Sequence, residues 1–317
     1  MGHINRSFGF CDARRRDSVQ GVIGLCSCRV VAVLNTARSL NTMTLRGNKT
    51  LLGGEFALSP TNAESSLESR PEISVYWIPG CSSCVKVKEF ISEHGLAFES
   101  LNVLERPEAM EEVTRAGLRG VPAVRRANTY AYAQSLDDVA ALLGVANKHT
   151  KLSCDVLFSR WDDILEKTRA IVAAFDADVL QRPVIPQRDR TIRELCVHTF
   201  QVAESFLRQV ADDTIDARAI YLDPRPDIQT RADMLSYVDD VRCEYRNTFI
   251  PANSSAKPDY LNTHYGQQPF AQVLERGVWH TAQHARQLDH VAAGIGFELQ
   301  IPQALYLGLP IPNRLWS

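Results

Sequence analysis

Cys81 and Cys84 are separated by Ser82-Ser83 and follow the run Ile73-Ser74-Val75-Tyr76-Trp77 and a Pro79-Gly80 break. The first five residues are mostly β-branched or aromatic, the composition of a strand buried on both faces. Beyond the cysteines, Val85, Val87 and Phe90 recur at near-helical spacing. The stretch therefore reads as strand, sharp turn and helix, with both cysteines in the first helical turn. Unpaired N–H groups at a helix N-terminus stabilise an anion, so Cys81 is expected to have a lowered pKa and to be partly thiolate near neutrality. The i, i+3 spacing puts Cys84 on the same face, within reach of a mixed disulfide formed at Cys81. The competing reading is half of a four-cysteine zinc site. That needs two more ligands at suitable spacing, and the sequence has no second CxxC. The preceding strand is the context that a redox motif requires.

Histidines supply a second candidate chemistry. His280 and His284 stand at i and i+4 in a stretch of helical pattern, so their imidazoles leave one face about a turn apart. A helix uses this spacing to give two ligands to one metal. No glutamate follows His280, which excludes the zinc-protease HExxH pattern. A third ligand has to come from another element. His198, in Glu194-Leu195-Cys196-Val197-His198, is the best placed, sharing with Leu195 and Val202 the expected inward face. His264 falls in a loop and is the poorer candidate. Chance stands against the metal reading, because short motifs recur at random and an inward histidine is more often hydrogen-bonded than metal-bound.

The elements that must position these groups follow from composition and period. The chain has 317 residues, enough for two domains. Its net charge of −2 gives no reason to expect nucleic-acid or membrane binding. No apolar run reaches the ~20 residues of a membrane-spanning helix. Eight cysteines over this length do not form a disulfide scaffold, and a CxxC beside scattered single cysteines suits a reducing cytoplasm.

Residues 1–70 are expected to be a largely disordered N-terminal extension. Arg14-Arg15-Arg16 and the apolar stretch from Val19 to Val33 imitate a signal peptide, but Arg29 interrupts it and no clean cleavage site follows. The natural start could lie downstream, for example at Met43. Cys11, Cys26 and Cys28 are given no role. Residues 71–146 are read as the redox domain, with a second strand at Leu101-Asn102-Val103, a helix from Pro107 to Ala116, and a last helix from Ser135, a plausible N-cap, to Leu143. Residues 151–300 show four helical stripes: Leu152 to Phe175, Thr191 to Val210 with Thr191 and Glu194 as a capping box, about Thr230 to Phe249, and Phe270 to about Ala293. Arg182 to Arg188 and Pro251 to Pro269 are read as loops. Four helices at these spacings predict a four-helix bundle. A tail, residues 301–317, is expected to pack across it without regular structure. The fold class is thus α/β plus all-α.

From Glu72 to Gly144 the chain resembles the glutaredoxin family of the thioredoxin fold, through Cys81-x-x-Cys84 after the first strand and the Val121-Pro122 dipeptide, a cis-proline in that family. The resemblance implies that Cys81 is the nucleophile, Cys84 the resolving thiol, and that the Val121 backbone pairs with incoming substrate. Val121, Pro122 and Asp138 form the implied substrate-binding set. Three positions depart from the family: Ile78 replaces a usual lysine, Ser82-Ser83 a common Pro-Tyr, and Gln134-Ser135 a glycine pair, while the acidic pair Asp137-Asp138 is retained. The lysine and the glycine turn help hold glutathione, so the partner thiol stays open.

The second half, about Leu152 to Gly296, looks like the DinB-like superfamily, through helix count and order, His198 on the second helix, and Trp279-His280-Thr281-Ala282-Gln283-His284-Ala285-Arg286-Gln287-Leu288. That superfamily includes thiol-dependent S-transferases and isomerases, so the likeness implies a divalent metal, zinc, nickel or iron, on His198, His280 and His284. Arg286 and Gln287 are expected to face a substrate carboxylate or a ligand histidine, with a solvated Arg286 as the alternative. Cys196, Trp161 and Trp279 are read as core, and His290 as surface.

Together these readings predict a CxxC thiol–disulfide oxidoreductase fused to a metal-dependent S-transferase-like domain. Expected partners are small-molecule or protein disulfides and a low-molecular-weight thiol such as glutathione. The alternative is a redox- or metal-responsive binding protein with a non-catalytic bundle. Exposed helix faces leave room for a homodimer, though no decisive apolar patch marks one.

Overall fold

The computed structural model describes residues 72–250, 257–297 and 301–316. The expectations for residues 1–70, including the disordered extension, the signal-like stretch, a start at Met43 and Cys11, Cys26 and Cys28, lie outside the described residues.

The first part is a four-stranded sheet with helices on both faces. Its elements run β1 (Ile73–Trp77), α1 (Ser82–Glu93), β2 (Glu99–Asn102), α2 (Pro107–Arg115), β3 (Ala123–Arg126), β4 (Thr129–Tyr132) and α3 (Leu136–Leu143). The strand order is β2-β1-β3-β4, with β1 parallel to β2 and the other pairs antiparallel. Successive residues of a strand face opposite sides. Accordingly Ile73, Val75 and Val124 pack under α1 and α3, against Val87, Phe90, Ile91 and Val139. Tyr76 and Ala123 face the other way, against Ala109 and Val113 of α2. Both faces are covered, which is why β1 reads as an unbroken apolar-aromatic run. This is a thioredoxin-like arrangement. Pro107 opens α2, and Ser135 caps α3 by accepting from the Asp138 N–H.

A helical region follows: α4 (Cys154–Ala174), α5 (Ala177–Gln181), β5 (Pro183–Ile185), β6 (Arg188–Thr191), α6 (Ile192–Ala211), α7 (Ala217–Leu222), α8 (Arg231–Phe249), β7 (Tyr260–Thr263), β8 (Gly266–Pro269), α9 (Phe270–Gly294) and a 3-10 turn (Gln303–Tyr306). The long helices α4, α6, α8 and α9 share one core, in which Trp161, Leu165, Phe200, Phe206, Val238 and Leu274 are buried. Thr191 and Thr230 each form a reciprocal capping box, with Glu194 and Asp233. Helices α4 and α9 approach so closely that a Cβ on Gly277 would run into the Trp161 ring. The Trp161 indole donates to Thr281 Oγ1 at 3.0 Å, which fixes α9 at the residue between its two histidines that follows His280 directly.

Three expectations need correction. The segments read as loops at Arg182 to Arg188 and within Pro251 to Pro269 carry β-hairpins, β5–β6 and β7–β8. Short strands around Pro186-Gln187 and His264-Tyr265 leave too little period-two pattern to be seen. The tail is not wholly irregular, since Gln303–Tyr306 forms a 3-10 turn. Among the described residues, no helix is long and apolar enough to cross a membrane.

Candidate functional site

Cys81 is the N-cap of α1, with extended backbone (φ −91°, ψ 109°), and its Sγ accepts from the Cys84 N–H at 3.2 Å. The sulfur therefore sits at the positive end of a twelve-residue helix, where thiolate is favoured. Cys84, one turn on, is fully buried, whereas Cys81 is half-buried. The two are joined as a disulfide, so the structure represents the oxidised state of the pair. Val121-Pro122 is a cis peptide, and both residues line the same cleft as Cys81.

That cleft, about 670 Å³, runs from the CxxC turn into the helical region. Gly80, at φ +72°, lets the turn meet the β5–β6 hairpin, since a Cβ there would stand 3.2 Å from Ile185. Arg188 of the same hairpin donates to the Pro79 carbonyl at 3.3 Å. At the far wall stand His198 from α6 and His280 and His284 from α9.

The three imidazoles converge. Their candidate ligand atoms all lie within 4.8 Å of one another, and the Nε2 atoms of His280 and His284 are 3.0 Å apart. Burial holds His198 and His280 well below the ordinary histidine range and pulls His284 down to about 3. The rings are therefore neutral at physiological pH and their nitrogen lone pairs are available. Gln287 Oε1 lies 2.7 Å from His284 Nδ1, while Nδ1 of His280 is buried without a partner. Among the described residues, the His280 ring thus has a polar partner only at Nε2, where it meets His284. Three neutral imidazoles with converging nitrogens fit a divalent metal, and a three-ligand set leaves a coordination position for substrate.

Asp138 of the implied substrate-binding set does not line the cleft, and its carboxyl interacts with Ser135 and Gln268. Arg286 is half-buried and does not line the cleft. It donates to Gln283 Oε1 and to the Pro312 carbonyl, at 2.8 and 2.7 Å, tying the tail to α9. Gln287 faces a triad histidine. Cys196 and Trp161 are buried and His290 is exposed.

Two further groups line the cleft: His264, set aside above as a loop residue, and Arg190, to which the sequence assigned no role. His264, at the tip of the β7–β8 hairpin, lines the cleft and packs edge-on to Tyr132 at 5.5 Å between ring centroids. Its burial lowers its pKa to about 4. Thr263 and Gly266 around it were the available hairpin signal. Arg190, on β6, also lines the cleft, and no local pattern marked it.

Comparison with known proteins bears on the first part of the chain. The Glutaredoxin family model matches residues 73–128. "Glutaredoxin-like protein NrdH" of Lactococcus lactis subsp. lactis is 37% identical over 54 residues, 17% of this chain and 75% of that protein. Its counterpart from Lactococcus lactis subsp. cremoris shows the same identity and coverage. "Uncharacterized protein YusI" of Bacillus subtilis is 34% identical over 41 residues, 13% of this chain and 35% of that protein. No solved structure matches the chain.

Proposed function

The chain belongs to the glutaredoxin family through residues 73–128, and from that premise we propose that it is a thiol–disulfide oxidoreductase whose helical region serves as a metal-dependent S-transferase module on the same thiol. One observation carries this reading: Cys81 and the three histidines line a single cleft.

At the redox end, the Cys81 thiolate attacks one sulfur of a substrate disulfide. That S–S bond breaks, one thiolate leaves, and the other half remains on Cys81 as a mixed disulfide. Cys84 then attacks Cys81 Sγ, releases the second thiolate and forms the Cys81–Cys84 disulfide present in the structure. The substrate gains two electrons, and an external dithiol restores the pair. Val121 and Pro122, across from Cys81, orient the incoming disulfide.

At the histidine end, His198, His280 and His284 would hold zinc, nickel or iron, ions suited to imidazole. When bound, such an ion lowers the pKa of a thiol and keeps it as a nucleophilic thiolate at neutral pH. The chain's own contribution is to keep the rings neutral by burial and to orient His284 through Gln287. The likeness of the helical region to the DinB-like superfamily, carried by helix order and these three histidines, supports the transferase reading. A triad that opens on a cleft favours turnover over sensing at a closed site.

The test is elemental analysis of the purified protein alongside reduction of a model disulfide by wild type, His280→Ala/His284→Ala and Cys81→Ser. The proposal expects near-stoichiometric metal that is lost only in the double histidine variant, and disulfide reduction that is lost in Cys81→Ser. Absence of metal after incubation with zinc and nickel would remove the transferase half.

A further inference from the structure

The cleft has a charge its two chemistries do not account for. Five arginines line it, Arg119, Arg188, Arg190, Arg218 and Arg276, against three carboxylates, Asp189, Glu194 and Asp223. Two of those carboxylates are engaged with main chain: Glu194 accepts from the Thr191 N–H and Asp223 from the Arg225 N–H. The guanidinium groups mostly meet neutral acceptors. Arg188 reaches the Pro79 carbonyl, Arg218 the Arg119 carbonyl at 2.9 Å, and Arg276 the Gln134 side chain. Arg119 pairs with Asp216 only at 3.9 Å, in solvent. Among the described residues, the Arg190 guanidinium has no hydrogen-bond or ion-pair partner.

We propose that Arg190, backed by Arg188 on the same strand, docks the carboxylate of a small anionic thiol or disulfide whose sulfur reaches Cys81. The inference rests on the reading of the cleft as a thiol–disulfide site and goes beyond it by naming the charge and anchor of the substrate.

Three physical points carry it. Arg190 is half-buried in the cleft wall with no hydrogen-bonded partner, Glu194 being near enough only to act on it through its charge, so its N–H donors are open to an incoming anion. A planar guanidinium offers a fork of N–H donors that matches a carboxylate two bonds at a time. Arg190 also stands between the two chemistries: it borders the triad closely enough for its charge to help keep His198 and His284 unprotonated, and its strand leads back to Arg188 against the CxxC turn. Burial lowers its own pKa only to about 9, so it stays charged at neutral pH. The volume of about 670 Å³ is in the range that takes a small molecule.

The test measures equilibrium binding, so it does not depend on turnover or metal. Oxidised full-length protein without added metal is titrated calorimetrically with 3,3′-dithiodipropionate, a dicarboxylate, and with 2-hydroxyethyl disulfide, a neutral analogue. The dicarboxylate is expected to bind about tenfold tighter or better, a preference that collapses at high salt. Arg190→Gln is expected to lower the ratio of the two affinities about tenfold, and Arg190→Lys, which keeps the charge without the fork, to restore part of it. Equal affinities in wild type, or a ratio unchanged in Arg190→Gln, would overturn the proposal. If Arg190→Gln does not fold, the wild-type ratio and its salt dependence decide. Failure of the oxidoreductase reading is seen separately, as no turnover of either disulfide by reduced protein.

Discussion

Gln287 and His284 are coupled through a single contact, Oε1 to Nδ1 at 2.7 Å, and the amide nitrogen of Gln287 donates to the Leu315 carbonyl at 2.8 Å. The second bond orients the amide, so Oε1 is the atom presented to the ring and Nδ1 must carry the proton. His284 Nε2 is then left as a lone pair aimed at His280 and His198.

Gln287→Leu removes the acceptor and frees the tautomer. Metal affinity is expected to fall about 10- to 100-fold, with the helical content intact. Competition with a chromophoric chelator measures this, and an unchanged affinity would mean that Gln287 only packs the tail.

Cys84 is fully buried and Cys81 is not, so a substrate disulfide can meet only Cys81. Cys84→Ser treated with 2-hydroxyethyl disulfide should retain one adduct mapped to Cys81, and Cys81→Ser should retain none at this motif. Peptide mass mapping reads both. An adduct on Cys84 in the Cys81→Ser protein would reverse the assigned roles.

Gly277 faces the Trp161 ring at the α4–α9 crossing. Gly277→Ala forces the helices apart in a filled core and is expected to cost about 1–3 kcal/mol despite the better helix propensity of alanine. Chemical denaturation checks it. A stabilised variant would show that the crossing has slack.

His264 links stability to pH. Its folded pKa of about 4 lies below the ~6.5 of an unfolded histidine. Above pH ~6.5 both states are neutral and the ring contributes nothing. As pH falls below that, the unfolded chain takes a proton the folded one refuses, so stability is lost down to about pH 4. The slope for one group is at most about 1.4 kcal/mol per pH unit. Urea denaturation between pH ~7 and ~5 should show a shallower loss in His264→Gln than in wild type. Parallel curves would contradict the assignment.

Much of this was legible in the sequence where one element carries its own signal. The run from Ile73 to Trp77, the Pro79-Gly80 break and the caps at Ser135, Thr191 and Thr230 act locally, and local rules found them. The i, i+4 pair His280 and His284 is likewise a property of one helix. The cleft is not, because it exists only where β5–β6 and β7–β8 fold against the CxxC turn and β4. Arg190 and His264 reach it through hairpins of three or four residues per strand, too short for a period to stand out. Arg286 read as a solvent or substrate contact because its acceptor, the Pro312 carbonyl, is distant in sequence.

The central claim is that the redox cysteine and the histidine triad open on one cleft, and a paramagnetic ion tests it most directly. Cys84→Ser, labelled on Cys81 with a ¹³C-methylthio group and loaded with cobalt(II), should show a shifted and broadened label signal. That effect should vanish when His280 and His284 are also replaced by alanine. A label signal indifferent to cobalt, or no cobalt bound at all, would contradict the account.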